Sequence, residues 1–294
     1  MAFVVNSLPE YVDQHKMDLL SKSVYSAPSV KYLNIQTGIK HSAALNLLNT
    51  NATLQSNTCG WNASGDATFT QRVLTVGNYK VNMAFCDRDL IQKWMNIETI
   101  TKAGAEVLPF EEQITNQIVD SVKAQIETLI WTADKSAQTP DAFDGLLTIA
   151  QADGTAVTST ASTTYGKVVD VYKAIPVSIL DKAVIFVGVD TFRSLKADIT
   201  AANLYHFEPE VDREELSLIL PDSVNTKVIA VSGLNGTGAI VAADPANLFY
   251  GVDMQDDAES FDLWYSKDNA EFRLKICFNA GTQIAFPDQV VYLV

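Results

Sequence analysis

Residues 109–133, PFEEQITNQIVDSVKAQIETLIWTA, decide the reading of this chain, because no other segment is both long and strongly periodic. On a helical wheel Ile114, Ile118, Val119, Val122, Ile126, Leu129 and Ile130 fall within roughly 160° of arc. Asn116, Gln117, Asp120, Ser121, Lys123, Glu127 and Thr128 take the other side, with Trp131 the one large apolar exception. Pro109 suits the first turn, where its missing N–H is not needed, and Glu111 and Glu112 complement the positive helix end. About 25 residues at 1.5 Å each make a rod of roughly 37 Å, long for a globular domain. The pattern predicts one large amphipathic core helix.

Outward from this helix the character changes on each side. Residues 1–32 read as an arm with a short helix from Pro9 to Leu20, broken at Ser26, Ala27, Pro28 and Ser29. The arm cannot form a core alone and is expected to lie across something else, a neighbouring subunit being one such surface. Residues 33–82 read as a ribbon of two β-suited arms; in residues 67–85 Phe69, Val73, Val76, Tyr79, Val81 and Met83 interleave with polar residues around a turn at Gly77 and Asn78. Between the two arms of this ribbon, residues 49–66 are polar and rich in turn formers, with Trp61 isolated among them. Trp61 reads either as the local anchor of its loop or as an anchor on another subunit, since large aromatics are enriched at interface hot spots. Asp87 then caps an expected helix to about Gly104, with Leu90, Ile91, Trp94, Met95 and Ile97 on its apolar side.

Past the long helix, residues 134–157 read as a loop holding Phe143, Asp144, Gly145, Leu146 and Leu147. From residue 163 helix and strand alternate: a helix stopped by Pro176, a buried strand at 182–188, a helix at 189–200, and strands at 226–233 and 238–244. This is an α/β layer of about a hundred residues. Residues 258–294 return to strands and are expected to pair beside the long helix, which makes that domain discontinuous.

Composition narrows the function. The length of 294 residues is compatible with about two domains. A hydrophobic content of 47% with 19% charged residues fits a folded protein. The net charge of −14, without any Lys/Arg cluster longer than two residues, speaks against binding nucleic acid through phosphate neutralisation. Cys59, Cys86 and Cys277 lie far apart, which suits a reducing compartment and neither a disulfide framework nor a zinc site. No apolar run reaches membrane-spanning length. The first residues lack the basic start of a secretory leader, so the chain reads as cytosolic when made and its Asn-X-Ser/Thr matches as chance.

Catalytic patterns do not emerge. His15, His41 and His206 are scattered over arm, ribbon and α/β loop, without metal spacing. The glycines Gly233, Gly236 and Gly238 reverse the dinucleotide fingerprint and stand between two strands, where a hairpin connection is expected. Asp253, Asp256, Asp257, Glu259 and Asp262 lack calcium-loop spacing and read as a solvated acidic turn, with a weak divalent-ion site as the other reading.

The order of segments resembles the major capsid proteins of tailed bacteriophages, the Hong Kong 97 fold. The features carrying the resemblance are the arm, the ribbon, the short helix, the long helix, the α/β insertion and the returning strands. Phe143 to Leu147 after the long helix, the strand at 182–188 running into a helix, and the ending that contains Asn247, Gly251, Glu271, Arg273 and Pro287 add to it. The resemblance implies an α+β fold with an N-terminal arm (1–32) and a β-ribbon E-loop (33–82). A peripheral domain (83–140 and 251–294) would carry the spine helix 109–133, and an axial domain would occupy 141–250. It implies a structural protein, not an enzyme, with no cofactor. Copies would join as hexamers and pentamers into an icosahedral shell around double-stranded DNA, held without sequence-specific binding and without a membrane. The portal and other virion proteins would be partners, and the protein would be assembled in the host cytoplasm and end in the virion. Inter-subunit contacts are then expected from Trp61, Phe69 and Tyr79 of the ribbon and from Tyr205, Glu208 and Asp212 of an axial loop. The acidic balance fits a lumen that does not hold incoming DNA. The arm starts too close to Met1 for the cleaved scaffolding segment of some members. Lys40 lies in the ribbon, but no Asn and Glu partners for a crosslink are identified. An encapsulin-type compartment or an α/β enzyme with a ribbon lid are the other readings.

Overall fold

A computed structural model describes residues 7–25, 27–57, 59–60, 64–86, 110–136, 143–204, 216–221, 223–253 and 261–294. The expected helix at 87–104 lies outside the described residues. At the centre is helix α2 (Phe110–Thr132), whose side chains Ile118, Val119, Val122, Ile126 and Ile130 are buried as its periodicity requires. Its buried face is wider than the wheel suggests. Trp131 is fully covered and Glu127, assigned by pattern to solvent, is covered as well. The reason is that α2 is enclosed from more than one side. Helix α1 (Ser7–Tyr25) and a five-stranded sheet share its core, and the 3-10 turn Ser232–Leu234 packs against it too.

Helix α1 is longer than the expected Pro9–Leu20 and ends just before the predicted break. Its Val12, Leu19 and Val24 are buried on the chain's own α2 and on strand β11 (Phe261–Ser266), so this part of the arm is not left for a neighbour. A 3-10 turn (Pro28–Tyr32) follows. Strand β1 (Asn34–Thr37) then runs parallel to β10 (Leu248–Asp253). β2 (Ser42–Ala52) and β3 (Gly65–Thr75) form a separate two-stranded ribbon. β4 (Gly77–Cys86) does not fold back on β3 at the expected turn. It pairs with β12 (Glu271–Ile284) from Gly77 opposite Ala280 to Cys86 opposite Glu271. The ribbon is therefore 42–75, shorter than 33–82 at both ends. Alternation marks a strand without naming its partner, and a long apolar β12 offers β4 more burial than a lone ribbon can.

The five-stranded sheet is completed by β12 pairing antiparallel with β10 and β11. Alternate residues of β12, Phe272, Leu274, Ile276, Phe278 and Ala280, face the core shared with α2. The second sheet has six strands in the order β5 (Thr155–Ala156), β13 (Val291–Leu293), β9 (Ile240–Ala243), β6 (Val184–Gly188), β8 (Lys227–Val231), β7 (Ser217–Ile219). Both of its faces are covered, which explains the unbroken apolar runs of its middle strands. Ile185 and Val187 face a core with helices α4 (Thr164–Ala174) and α5 (Val189–Ala201), whereas Phe186 turns to α2 and meets Trp131 at 5.2 Å between ring centroids.

Three further expectations are corrected. The segment 134–157 contains helix α3 (Leu146–Asp153), with Leu146, Leu147, Ile149 and Ala150 buried; eight residues are too few for periodicity to stand out from loop composition. The chain from Gly233 to Gly238 is not a hairpin, because β6 lies between β8 and β9. The last strand, β13, joins the six-stranded sheet and not the five-stranded one, and β10 enters the five-stranded sheet already at Leu248.

Candidate functional site

Among the described residues, much of the ribbon is left uncovered. Its register sets Ala44 opposite Val73, Asn46 opposite Gln71 and Leu48 opposite Phe69, so these pairs share one face. On that face Leu48 is 53% exposed, Val73 51% and Phe69 80%. The Gln71 side chain donates to Asn46 Oδ1 at 2.7 Å between the apolar rungs. Only the base of the opposite face is buried: Leu45 and Leu74 form a small cluster with Ile39 and Val76, flanked by Ala43 and Phe249. Nothing in this cluster extends toward the tip, where β2 and β3 run on exposed to Ala52 and Gly65.

Polar contacts at the base hold the ribbon against the body. Arg72 Nη2 lies 2.6 Å from Asp153 Oδ2 at the end of α3, with both side chains partly exposed. Gln283 of β12 donates from Nε2 to the Val73 carbonyl at 2.8 Å. Beneath them is a cavity of about 300 Å³ lined by Arg72, Lys135, Phe143, Asp144, Thr148 and Asp153, among others. The ribbon therefore leans on a narrow apolar base beside open space. Arg72→Ala should change global stability by less than about 1 kcal/mol, as exposed ion pairs do. It should nevertheless speed amide exchange in residues 70–76, while β12 stays unchanged. Equal exchange in both proteins would show that the ion pair does not hold the base.

The residues singled out by sequence have separate fates. Phe69 stands on the exposed ribbon face. Tyr79 is in β4, where it stacks on Phe278 at 5.5 Å and meets Phe143 edge-on at 5.8 Å. Burial pushes its phenol above the ordinary value. Its ring thus belongs to the chain's own core, which removes it from the ribbon. Trp61, Tyr205, Glu208 and Asp212 lie outside the described residues, as does His206. His15 packs on Tyr11 in α1, and His41 supplies its carbonyl to the Val76 N–H at the ribbon base. Among the described residues no cluster of His, Cys, Asp or Glu could hold a metal ion. No helix among them is long and apolar enough to cross a membrane. Val73 stood out in the sequence only as one of the alternating ribbon positions, and Leu48 and the Arg72–Asp153 pair went unnoticed. Alternation places Phe69 and Val73 on one face of β3, and it cannot say which face a body will cover.

No family model matches this chain, and no curated protein does. Solved structures do match. A chain of the satellite phage P4 procapsid superposes with a TM-score of 0.61 at 12% identity, covering 95% of this chain and 90% of the other. A chain of Mycobacterium phage Bobi gives 0.57 at 12% identity, covering 91% and 90%. The virus-like particle from Pyrococcus furiosus gives 0.51 at 12% identity, covering 95% and 98%. The chain has the phage major capsid protein fold, shared over nearly its whole length.

Proposed function

We propose that this chain is the major capsid protein of a tailed bacteriophage, building an icosahedral shell around double-stranded DNA. The fold supports this reading along the whole chain, and the uncovered ribbon face carries it. Leu48, Phe69 and Val73 are exposed on a two-stranded excursion that buries too little to offset its own ordering, roughly 1–2 kcal/mol per residue. Such a ribbon gains its burial on another copy. In this assignment the ribbon 42–75 is the E-loop, the five-stranded sheet with α2 is the peripheral domain, and the six-stranded sheet with α4 and α5 is the axial domain. Copies join as hexamers and pentamers in the host cytoplasm and pass into the virion, with the portal and other virion proteins as partners. Trp61 on the ribbon side, and Tyr205, Glu208 and Asp212 on the axial side, belong to the same set of proposed contacts. The role is structural, with no cofactor and no membrane.

Purified protein should form capsomers or closed shells by light scattering and electron microscopy, and shells recovered from infected cells should contain DNA. A monomer under every assembly condition, with the ribbon already protected from amide exchange, would remove the shell reading. Shells filled with protein cargo and no DNA would remove the phage reading alone.

A further inference from the structure

Glu127 lies on the side of α2 that periodicity assigns to solvent, yet it is 1% exposed. Two other elements close over it. Ser29, in the 3-10 turn after α1, donates its N–H to Oε2 at 3.0 Å and its hydroxyl to Oε1 at 2.5 Å. Trp131 Nε1 donates to Ser29 Oγ at 2.7 Å, which leaves the hydroxyl proton directed at the carboxylate. From the other side, the turn after β8 packs Gly233 against the α2 backbone at Glu127. A Cβ on Gly233 would stand 2.2 Å from the Glu127 carbonyl and 2.5 Å from Trp131, so only glycine lets this turn approach so closely.

The charged and titratable groups around it are few. Lys123 precedes Glu127 by one turn of the same helix and acts at a distance. Lys31 belongs to the Ser29 turn, and the Ser232–Leu234 turn brings no titratable side chain. Tyr250 of β10 interacts electrostatically with Glu127, and with Tyr25 of α1 and Tyr79 of β4. These phenols are neutral through the range in which carboxylates titrate. Among the described residues no lysine or arginine forms an ion pair with Glu127. A carboxylate enclosed without a cation carries a desolvation cost that hydrogen bonds offset only in part. Burial accordingly pushes the Glu127 carboxyl above the ordinary value, against the opposing pull of the Ser29 hydrogen bonds and of Lys123.

We propose that Glu127 makes docking of the N-terminal segment proton-linked: closure of the Ser29 turn over the carboxyl group is accompanied by proton uptake. With the turn lifted, Glu127 meets water and titrates as an ordinary carboxyl. With the turn closed, it holds its proton to higher pH. The closed form then binds more protons across the interval between the two values. Docking is strongest at and below the ordinary carboxylate range and weakens as pH rises through the closed-state value. Every group involved belongs to one chain, so the linkage holds whether or not the chain assembles.

The test is amide exchange of residues 7–33 in the 294-residue chain from pH 5 to 8, corrected for intrinsic exchange, with β12 as internal reference. Protection of 7–33 should fall with rising pH by up to about tenfold per unit, the limit for one proton. Protection of β12 should stay level. Glu127→Gln should abolish the slope, and Ser29→Ala should lower protection while keeping it. A level wild-type profile, the same slope in Glu127→Gln, or an equal slope in β12 would each overturn the proposal. If Glu127→Gln does not fold, the wild-type profiles of 7–33 and β12 decide the matter.

Discussion

Replacing Ile118 by Asp will lower stability by about 3–5 kcal/mol, the cost of an unpaired charge in a packed core. Ile118 is 7% exposed and belongs to the cluster that joins α1, α2 and the five-stranded sheet. Among the described core side chains around it a carboxylate finds no cation, and it cannot reach water without opening the contact between α2 and the sheet. Since whole domains are stable by only about 5–15 kcal/mol, the variant should lose most of its soluble yield. Asp120, two residues on, is exposed, and Asp120→Ala should change stability by less than about 1 kcal/mol. Denaturant melts of the unassembled subunits measure both. Equal losses would mean that the buried face of α2 has been placed wrongly.

Assembly should respond in the opposite way to changes on the ribbon. The double substitution Leu48→Asp with Phe69→Asp alters two exposed side chains that face each other across β2 and β3. Their mutual contact is worth under about 1 kcal/mol, so the subunit melt should barely move. If the face docks on another copy, each buried apolar anchor contributes on the order of 2 kcal/mol, about thirtyfold in affinity. The contact recurs once per subunit, so particle yield should fall by far more than tenfold. Sedimentation and electron microscopy of wild type, Phe69→Tyr and the double variant make the comparison, with Phe69→Tyr expected to retain shells. Normal shells from the double variant would place the subunit contacts elsewhere.

Hydrophobic periodicity by itself determined that α2 exists and where most of its core stripe lies. A pattern of Ile118, Val122, Ile126 and Ile130 has one low-energy solution over so long a segment. The helix stopped by Pro176 and the strand entering α5 were equally open to reading, because proline geometry and strand-length apolar runs act locally. Strand partnership was decided only by tertiary structure. Asn34 lies beside Phe249, Gly77 beside Ala280 and Val291 beside Ala242, and nothing near those residues in the sequence encodes the choice. The same holds for two of the residues expected at subunit contacts. Phe69 is exposed and Tyr79 is packed inside, although both stand at alternating positions in similar β-suited stretches. Glu127 is the sharpest instance. Its polarity places it on the outer face of an isolated helix, and only the approach of Ser29 and Gly233 turns that face into an interior. Local chemistry selects helix or strand from the next few residues, whereas burial depends on what the distant chain brings to cover it.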